Sequence, residues 1–164
     1  MKTRTLTNCL ANSLAIALVA ACLLPTAAGA QPKGVERVGP PDAAIASMTS
    51  IPAGSRIYFL SGTTAGEPGK PATGDTQAQT VVALGHLQKL LTDAGMTMGN
   101  IVTLRVFLTA DPNKGGTADR AGMNAGYKMF FGTPEQPNKP ARTTILVGGS
   151  GPNLVEIDAI AVKP

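Results

Sequence analysis

Tryptophan is absent from this chain, and two tyrosines and four phenylalanines make up its whole aromatic content. Stacking on bases therefore has little to work with, and no run of Lys or Arg is present to neutralise phosphates, so a nucleic-acid partner is disfavoured. Histidine occurs once, at His86. Without a second histidine, zinc and copper sites lack ligands, and a Ser-His-Asp triad has a single candidate base. That base falls on the polar side of an amphipathic segment with Lys89 and Asp93, where it is expected to be solvated. The two cysteines, Cys9 and Cys22, lie in the first thirty residues. No glycine-rich phosphate loop is complete. In Gly66-Glu67-Pro68-Gly69-Lys70 the first glycine position is taken by Thr64 and the hydroxyl position by Pro71, which leaves a plain loop. Gly148-Gly149-Ser150-Gly151 leads into a strand rather than a helix, so it reads as a connector.

The first thirty residues have the pattern of a secretory signal peptide. Lys2 and Arg4 form the basic end, Leu10 to Leu24 the apolar stretch, and Ala28-Gly29-Ala30 a small-residue cleavage site before Gln31. The stretch is too short and wrongly flanked for a stable membrane span. A rival reading starts at Val19-Ala20-Ala21-Cys22, which resembles a lipoprotein attachment site with Cys22 as the anchor. Leu23 and Leu24 carry the apolar run past that cysteine, so cleavage after Ala30 and release to the periplasm or the medium is the expected outcome. The mature chain would hold 134 residues, enough for one core, with twelve basic and ten acidic side chains. It would contain no cysteine, so neither disulfide nor thiol chemistry is available to it.

Residues 31–45 are rich in Pro and Gly and form an extended lead-in to the domain proper, 46–164. Ala46 to Ile51 and Arg56 to Ser61 are β-like and separated by Pro52-Ala53-Gly54-Ser55, which suggests a hairpin. Asp75 to Ala94 has helical periodicity. Val81, Leu84, Leu87 and Leu91 share a broad side with Leu90 and Ala94, while Gln79, His86, Lys89 and Asp93 fall opposite. Thr73 or Asp75 is placed to cap its start, and Gly95 suits a left-handed residue after its end. Ile101 to Thr109 is a β-branched strand. A second helix is expected from about Asp119 to Phe131, with Met123, Tyr127, Phe130 and Phe131 on its apolar side and Gly132-Thr133-Pro134 stopping it. Thr143 to Val147 and Leu154 to Val162 close the chain as a pair of apolar strands. The order is β-β-α-β-α-β-β, an α+β arrangement in which two helices cover one face of a sheet. Two short helices leave the other face bare, which predicts that it meets another subunit.

Two charges in the closing strands stand out. Arg142 is at the mouth of the first, where an arginine is ordinarily a solvated surface charge. Glu156 is harder to dismiss, because it alternates in phase with Leu154, Asp158 and Ile160 and so shares a sheet face with apolar residues. If the two strands form a hairpin, Glu156 comes near Arg142. A guanidinium binds a carboxylate through a planar fork, and a carboxylate in a partly dry site can handle a proton on water. The pair fits a small carboxylic acid and a hydrolytic step.

At these residues the chain resembles the RidA (YjgF) family of reactive-intermediate deaminases, which hydrolyse 2-imino acids and enamines to 2-keto acids and ammonia. The resemblance rests on "IYFLSG" (57–62), "AQTVVALGHLQKLLTDAG" (78–95), "NIVTLRVFLT" (100–109), "NAGYKMFFG" (124–132), "PART" (140–143) and "LVEIDAIAV" (154–162), in the family's order. It implies a chorismate-mutase-like fold, a homotrimer with sites between subunits, and no need for cofactor or metal. It also implies that Arg142 binds the substrate carboxylate and that Glu156 positions the attacking water. Backbone amides near Ser61, Gly62 and Thr144, and the side chain of Asn124, would complete the substrate contacts. One departure is clear: where the family's "GPY" places a pocket tyrosine, this chain reads Gly39-Pro40-Pro41. Binding of a small metabolite in the same pocket without turnover is the competing expectation.

Overall fold

The computed structural model describes residues 34–149 and 151–164; the predicted export segment, residues 1–30, lies outside them. Six strands and two helices follow one another as β1 (Glu36–Val38), β2 (Met48–Ser50), β3 (Arg56–Thr64), α1 (Thr76–Asp93), β4 (Ile101–Leu108), α2 (Arg120–Tyr127), β5 (Ala141–Leu146) and β6 (Val155–Lys163). The main sheet is ordered β3-β6-β4-β5, with β6 antiparallel to both neighbours and β4 parallel to β5. The α+β class with two helices and a mixed sheet is as expected.

Strand pairing differs from the expectation in two places. The segment 46–51 does not pair with β3; β2 pairs instead with β1, inside the stretch read as a lead-in. The closing strands do not form a hairpin either, because β4 lies between β5 and β6. The physical reason is connectivity. A helix between two strands permits a parallel crossover, and α2 carries the chain from β4 to β5 in that way. Strand β6 then fills the remaining slot between β3 and β4, where both of its edges are satisfied.

Helix α1 begins where the side chain of Asp75 accepts a hydrogen bond from the Ala78 amide at 2.8 Å, and ends before Gly95, whose φ is +68°. Its buried side holds Ala83, Leu84, Leu87 and Leu91, which pack on Val155, Ile157, Ala159 and Ala161 of β6 and Leu104, Val106 and Leu108 of β4. The faces assigned to Leu90 and Gln79 are corrected. Leu90 is half exposed, whereas Gln79 is buried at 1% exposure. Gln79 is satisfied by three bonds: its amide nitrogen donates to Gly74 O (3.2 Å) and Pro152 O (2.8 Å), and its carbonyl accepts from Leu154 N (2.8 Å). It thereby clips the segment entering β6 to α1. Full partnering of this kind is the usual condition on which a polar side chain is buried.

Helix α2 is shorter than expected, but its apolar side is as read: Met123, Tyr127 and Phe131 are buried, and the Tyr127 and Phe131 rings stack at 4.7 Å. The two helices meet at Gly126, where an added Cβ would stand 2.8 Å from Thr80 Cβ and 2.9 Å from Gln77 O. The β1–β2 pair is fastened to the sheet by Arg37, which donates to Gly99 O (2.7 Å) and Ile101 O (3.2 Å), and by Thr49, which donates to Val102 O (3.1 Å).

No helix among the described residues is long and apolar enough to cross a membrane. The sheet face turned away from the helices carries exposed apolar side chains among polar ones. Phe59 is 79% and Ile57 45% exposed, and in the middle Arg105 forks onto Asp158 at 2.9 and 2.7 Å.

Candidate functional site

The predicted site residues fall into two groups. Arg142 lies in β5 opposite Leu104, a core residue of β4, so its side chain rises on the helix side of the sheet. There α2 receives it with three residues of one helical face. Arg142 Nη2 donates to Asn124 Oδ1 at 2.8 Å, Nη1 lies 3.6 Å from Met123 Sδ, and Cζ sits 4.5 Å above the centre of the Tyr127 ring. Spacings of three (Asn124 to Tyr127) and four (Met123 to Tyr127) along a helix put these side chains beside one another. Thr144, two residues on in β5, is half-buried opposite Val106 on the same face.

Every one of these partners is uncharged, and among the described residues Arg142 forms no salt bridge. Burial pulls its guanidinium below the ordinary arginine value; the coulombic effect of Tyr127 works against this and that of Arg120 with it. An arginine nonetheless stays protonated. The outcome is a half-buried cation, held in place and left without a counter-charge. Of its five N–H groups two are engaged by Asn124 and Met123, so enough remain for a bidentate contact to an anion.

Glu156 belongs to the second group. It lies opposite Phe107 of β4 and Thr64 of β3, between Val155 and Ile157, which point into the core. Its carboxylate is therefore on the bare side of the sheet. The expectation that Arg142 and Glu156 meet through a hairpin is not met within one chain, because β4 separates their strands and the alternation sends them to opposite faces. Ser61 and Gly62 do accompany Glu156. The β3–β6 register shifts between Leu60 and Thr63, and in that bulge Gly62 lies so close to Glu156 that a Cβ there would overlap the carboxylate oxygen. Glycine leaves the carboxylate in this position, where any side chain would push it aside, and the backbone angles themselves do not call for it.

The bulge is anchored from behind. The Thr63 hydroxyl lies 3.1 Å from Ala83 O and 3.2 Å from Ile157 O. His86 Nδ1 is 3.0 Å from Thr64 O, and a carbonyl only accepts, so Nδ1 carries the proton in this contact. This corrects the expectation of a solvated His86: the ring is half-buried and serves the strand next to it.

Met123 and Tyr127 were not foreseen as neighbours of Arg142. Both are buried on the apolar side of α2, as their periodicity predicts. The signal that would have linked them is their spacing from Asn124, which sits on the edge of the same helical face. Among the described residues no three His, Cys, Asp or Glu side chains gather as a metal site.

A four-stranded mixed sheet under two helices is the α+β arrangement that the resemblance to the RidA family implies. Residues 41–163 match the family described as Endoribonuclease L-PSP, and the chain belongs to this family, the RidA (YjgF) proteins. It is 36% identical over 101 residues to a RutC family protein of Haemophilus influenzae, covering 58% of this chain and 73% of that one. It is 35% identical over 101 residues to the 2-iminobutanoate/2-iminopropanoate deaminase of Escherichia coli, covering 58% and 73%. The crystal structure of E. coli TdcF with bound serine superposes with a TM-score of 0.56 at 28% identity, over 79% of this chain and 99% of that one.

Proposed function

We propose that this protein hydrolyses small 2-imino acids and their enamine tautomers to 2-keto acids and ammonia, at a site completed between copies of the chain. The observation that carries this reading is the half-buried Arg142 guanidinium whose partners are all neutral. Such a group is stabilised by an arriving carboxylate, and the fork geometry fixes the orientation of the rest of the molecule. Two relatives, the E. coli 2-iminobutanoate/2-iminopropanoate deaminase and E. coli TdcF crystallised with serine, fit a small carboxylate-bearing ligand.

In the proposed reaction Arg142 holds the substrate carboxylate beside the C=N carbon, with Asn124 steadying the guanidinium. Water adds to that carbon as Glu156 takes one of its protons and passes it to nitrogen, which gives a carbinolamine. The hydroxyl oxygen then closes to C=O as the C–N bond breaks, and its proton passes through Glu156 to the leaving nitrogen, which departs as ammonia. One water is consumed for each imine. Placement and charge supply the catalysis rather than a covalent nucleophile. Glu156 comes from a neighbouring copy, since in its own chain it faces away from Arg142. The bare sheet face with Phe59 and Ile57 is the surface that supports assembly, as a homotrimer. Imines generated in place by an amino-acid oxidase, and their decay with and without the protein, test the reading; equal decay rates overturn it.

A second reading is binding of the same small acids without turnover. It is favoured by the arrangement of a single chain, in which Arg142 and Glu156 stand on opposite faces of the sheet, so that the carboxylate-binding cation has no water-activating group beside it. The proposed setting for either is the periplasm or the medium, after cleavage behind Ala30. An intact mass beginning at Gln31 supports export, whereas a lipid on Cys22 overturns it in favour of an anchored form.

A further inference from the structure

The deaminase reading leaves one group near Arg142 unused. Tyr127 is buried at 2% exposure, its ring lies 4.5 Å beneath the Arg142 guanidinium, and among the described residues its hydroxyl has no hydrogen-bond partner. Burial pushes the phenol well above its ordinary value, with the charge of Arg142 acting in the opposite direction. An unpartnered hydroxyl in a core is unfavourable, so the hydroxyl does not account for what the residue does here. The ring does.

We infer that Tyr127 is a positioning residue: its π face, backed by Phe131, holds the Arg142 guanidinium in the orientation that receives the substrate carboxylate. The inference rests on the proposed role of Arg142. Asn124 and Met123 each contact one terminal nitrogen, at 2.8 and 3.6 Å. Those two contacts still leave the group able to pivot out of its plane. A ring under Cζ closes one side and attracts the cation through its quadrupole without consuming an N–H donor. A carboxylate in that place would also hold the arginine, but it would neutralise the charge the substrate needs. Tyr127 restrains the cation and leaves it charged. Its own position is fixed by the stack on Phe131, at 4.7 Å and 24° between the ring planes, and by the close docking of α2 on α1 at Gly126.

The test uses the mature chain and 2-ketobutyrate as probe, with binding read by calorimetry, imine turnover read separately, and thermal melts on every variant. Tyr127→Phe keeps the ring and should bind within twofold of the parent while melting at the same or a higher temperature. Tyr127→Leu removes the π face and should raise Kd and KM about tenfold, with a much smaller change in kcat. Should the leucine variant fail to fold, Tyr127→Met replaces it, since its flexible thioether fills irregular space. Binding by the leucine or methionine variant within twofold of the parent overturns the inference. So does a phenylalanine variant as weak as either of them, which would assign the effect to the hydroxyl. Arg142→Ala that binds the keto acid normally removes the basis of both readings. A parent that binds keto acid, loses it in Tyr127→Leu and turns over no imine overturns the deaminase reading and supports this one.

Discussion

Arg142 and Glu156 stand on opposite faces of one sheet, with strand β4 between their strands. Arg142 is in register with a core leucine, Leu104, and Glu156 with Phe107 on the bare side. Side chains of a strand alternate strictly between faces, so no rotamer change within one chain turns these two residues toward a common point. If both serve one substrate, they come from different copies.

That relationship makes a sharp prediction for mixed assemblies. Arg142→Ala and Glu156→Gln should each be inactive alone, the first because a charge-assisted contact of about 1.5–3 kcal/mol is lost with the orientation it gives. Unfolding and refolding the two together should restore activity. Random assortment in a closed ring pairs an intact arginine side with an intact glutamate side in about a quarter of the sites. Recovery measured as imine turnover near that fraction supports a shared site. No recovery from a mixture proven by mass to contain hybrid oligomers would place both residues in one subunit's site.

Gly62 offers a way to disturb Glu156 without changing it. A methyl at Gly62 would overlap the glutamate carboxylate, so Gly62→Ala must push that side chain aside. Because Glu156 is exposed, it has room to move and the fold should tolerate the change, with a melting temperature within a few degrees of the parent. Turnover should fall at least tenfold while keto-acid binding at Arg142 persists. Unchanged turnover would mean that the present position of Glu156 does not matter to the reaction.

The helix interface predicts the opposite balance. Alanine favours helix over glycine by roughly 1 kcal/mol, yet at Gly126 its Cβ would meet Thr80 and the Gln77 carbonyl at 2.8–2.9 Å. Overpacking of this kind costs typically about 1–3 kcal/mol, and the nearest atoms include backbone of α1, which cannot step aside. Gly126→Ala should therefore destabilise the protein in urea denaturation. It should also weaken keto-acid binding, since Asn124 and Tyr127 ride on the displaced helix. A more stable variant would show that α2 can shift freely and does not fix Arg142.

Much of the fold and half of the site can be read from the chain itself. Leu84, Leu87 and Leu91 mark the buried side of α1, Asp75 and Gly95 mark its ends, and the alternation of Val155, Ile157, Ala159 and Ala161 separates the faces of β6. What one strand pairs with is not written in its own residues. Thr143 to Val147 and Leu154 to Val162 have the apolar character of neighbours, but a crossover helix makes β5 parallel to β4 and leaves β6 elsewhere. Pairing is decided by how the whole chain closes, and the Arg142–Glu156 relationship follows the pairing. Gln79 escaped for a different reason. A polar residue on a helix is assigned to water by default, and its burial is tolerated only because Gly74, Pro152 and Leu154 arrive from other segments to satisfy it.

Gln79 also links stability to the site, because the Leu154 amide it holds is two residues before Glu156. Gln79→Ala should cost about 1–3 kcal/mol, since it strands a buried backbone N–H, and should lower turnover through the entry of β6. Gln79→Glu keeps the acceptor for Leu154 N but faces Gly74 O and Pro152 O with oxygen instead of a donor. It should be no better than alanine. Glutamate restoring parental stability would show that the Leu154 contact alone matters.

The last prediction concerns alkaline pH and Tyr127. Its folded phenol is raised above the ordinary value, chiefly by burial, while the unfolded phenol ionises near about 10. Below that pH both states keep the proton and the stability contribution is fully present. Above it the unfolded chain releases a proton that the folded chain retains, so stability falls as pH rises toward the folded value. Other groups titrate in this range, which makes the difference between parent and Tyr127→Phe the quantity to measure. Urea denaturation from pH about 8 to about 11 should give a constant difference up to roughly 10, then a growing advantage for phenylalanine, approaching about 1.4 kcal/mol per pH unit. A difference that stays flat to pH 11 would place Tyr127 in a more solvated setting than its burial describes. Keto-acid binding should outlast the first part of this decline, because Arg142 remains charged there and loses its carboxylate only when the helix that holds it unfolds.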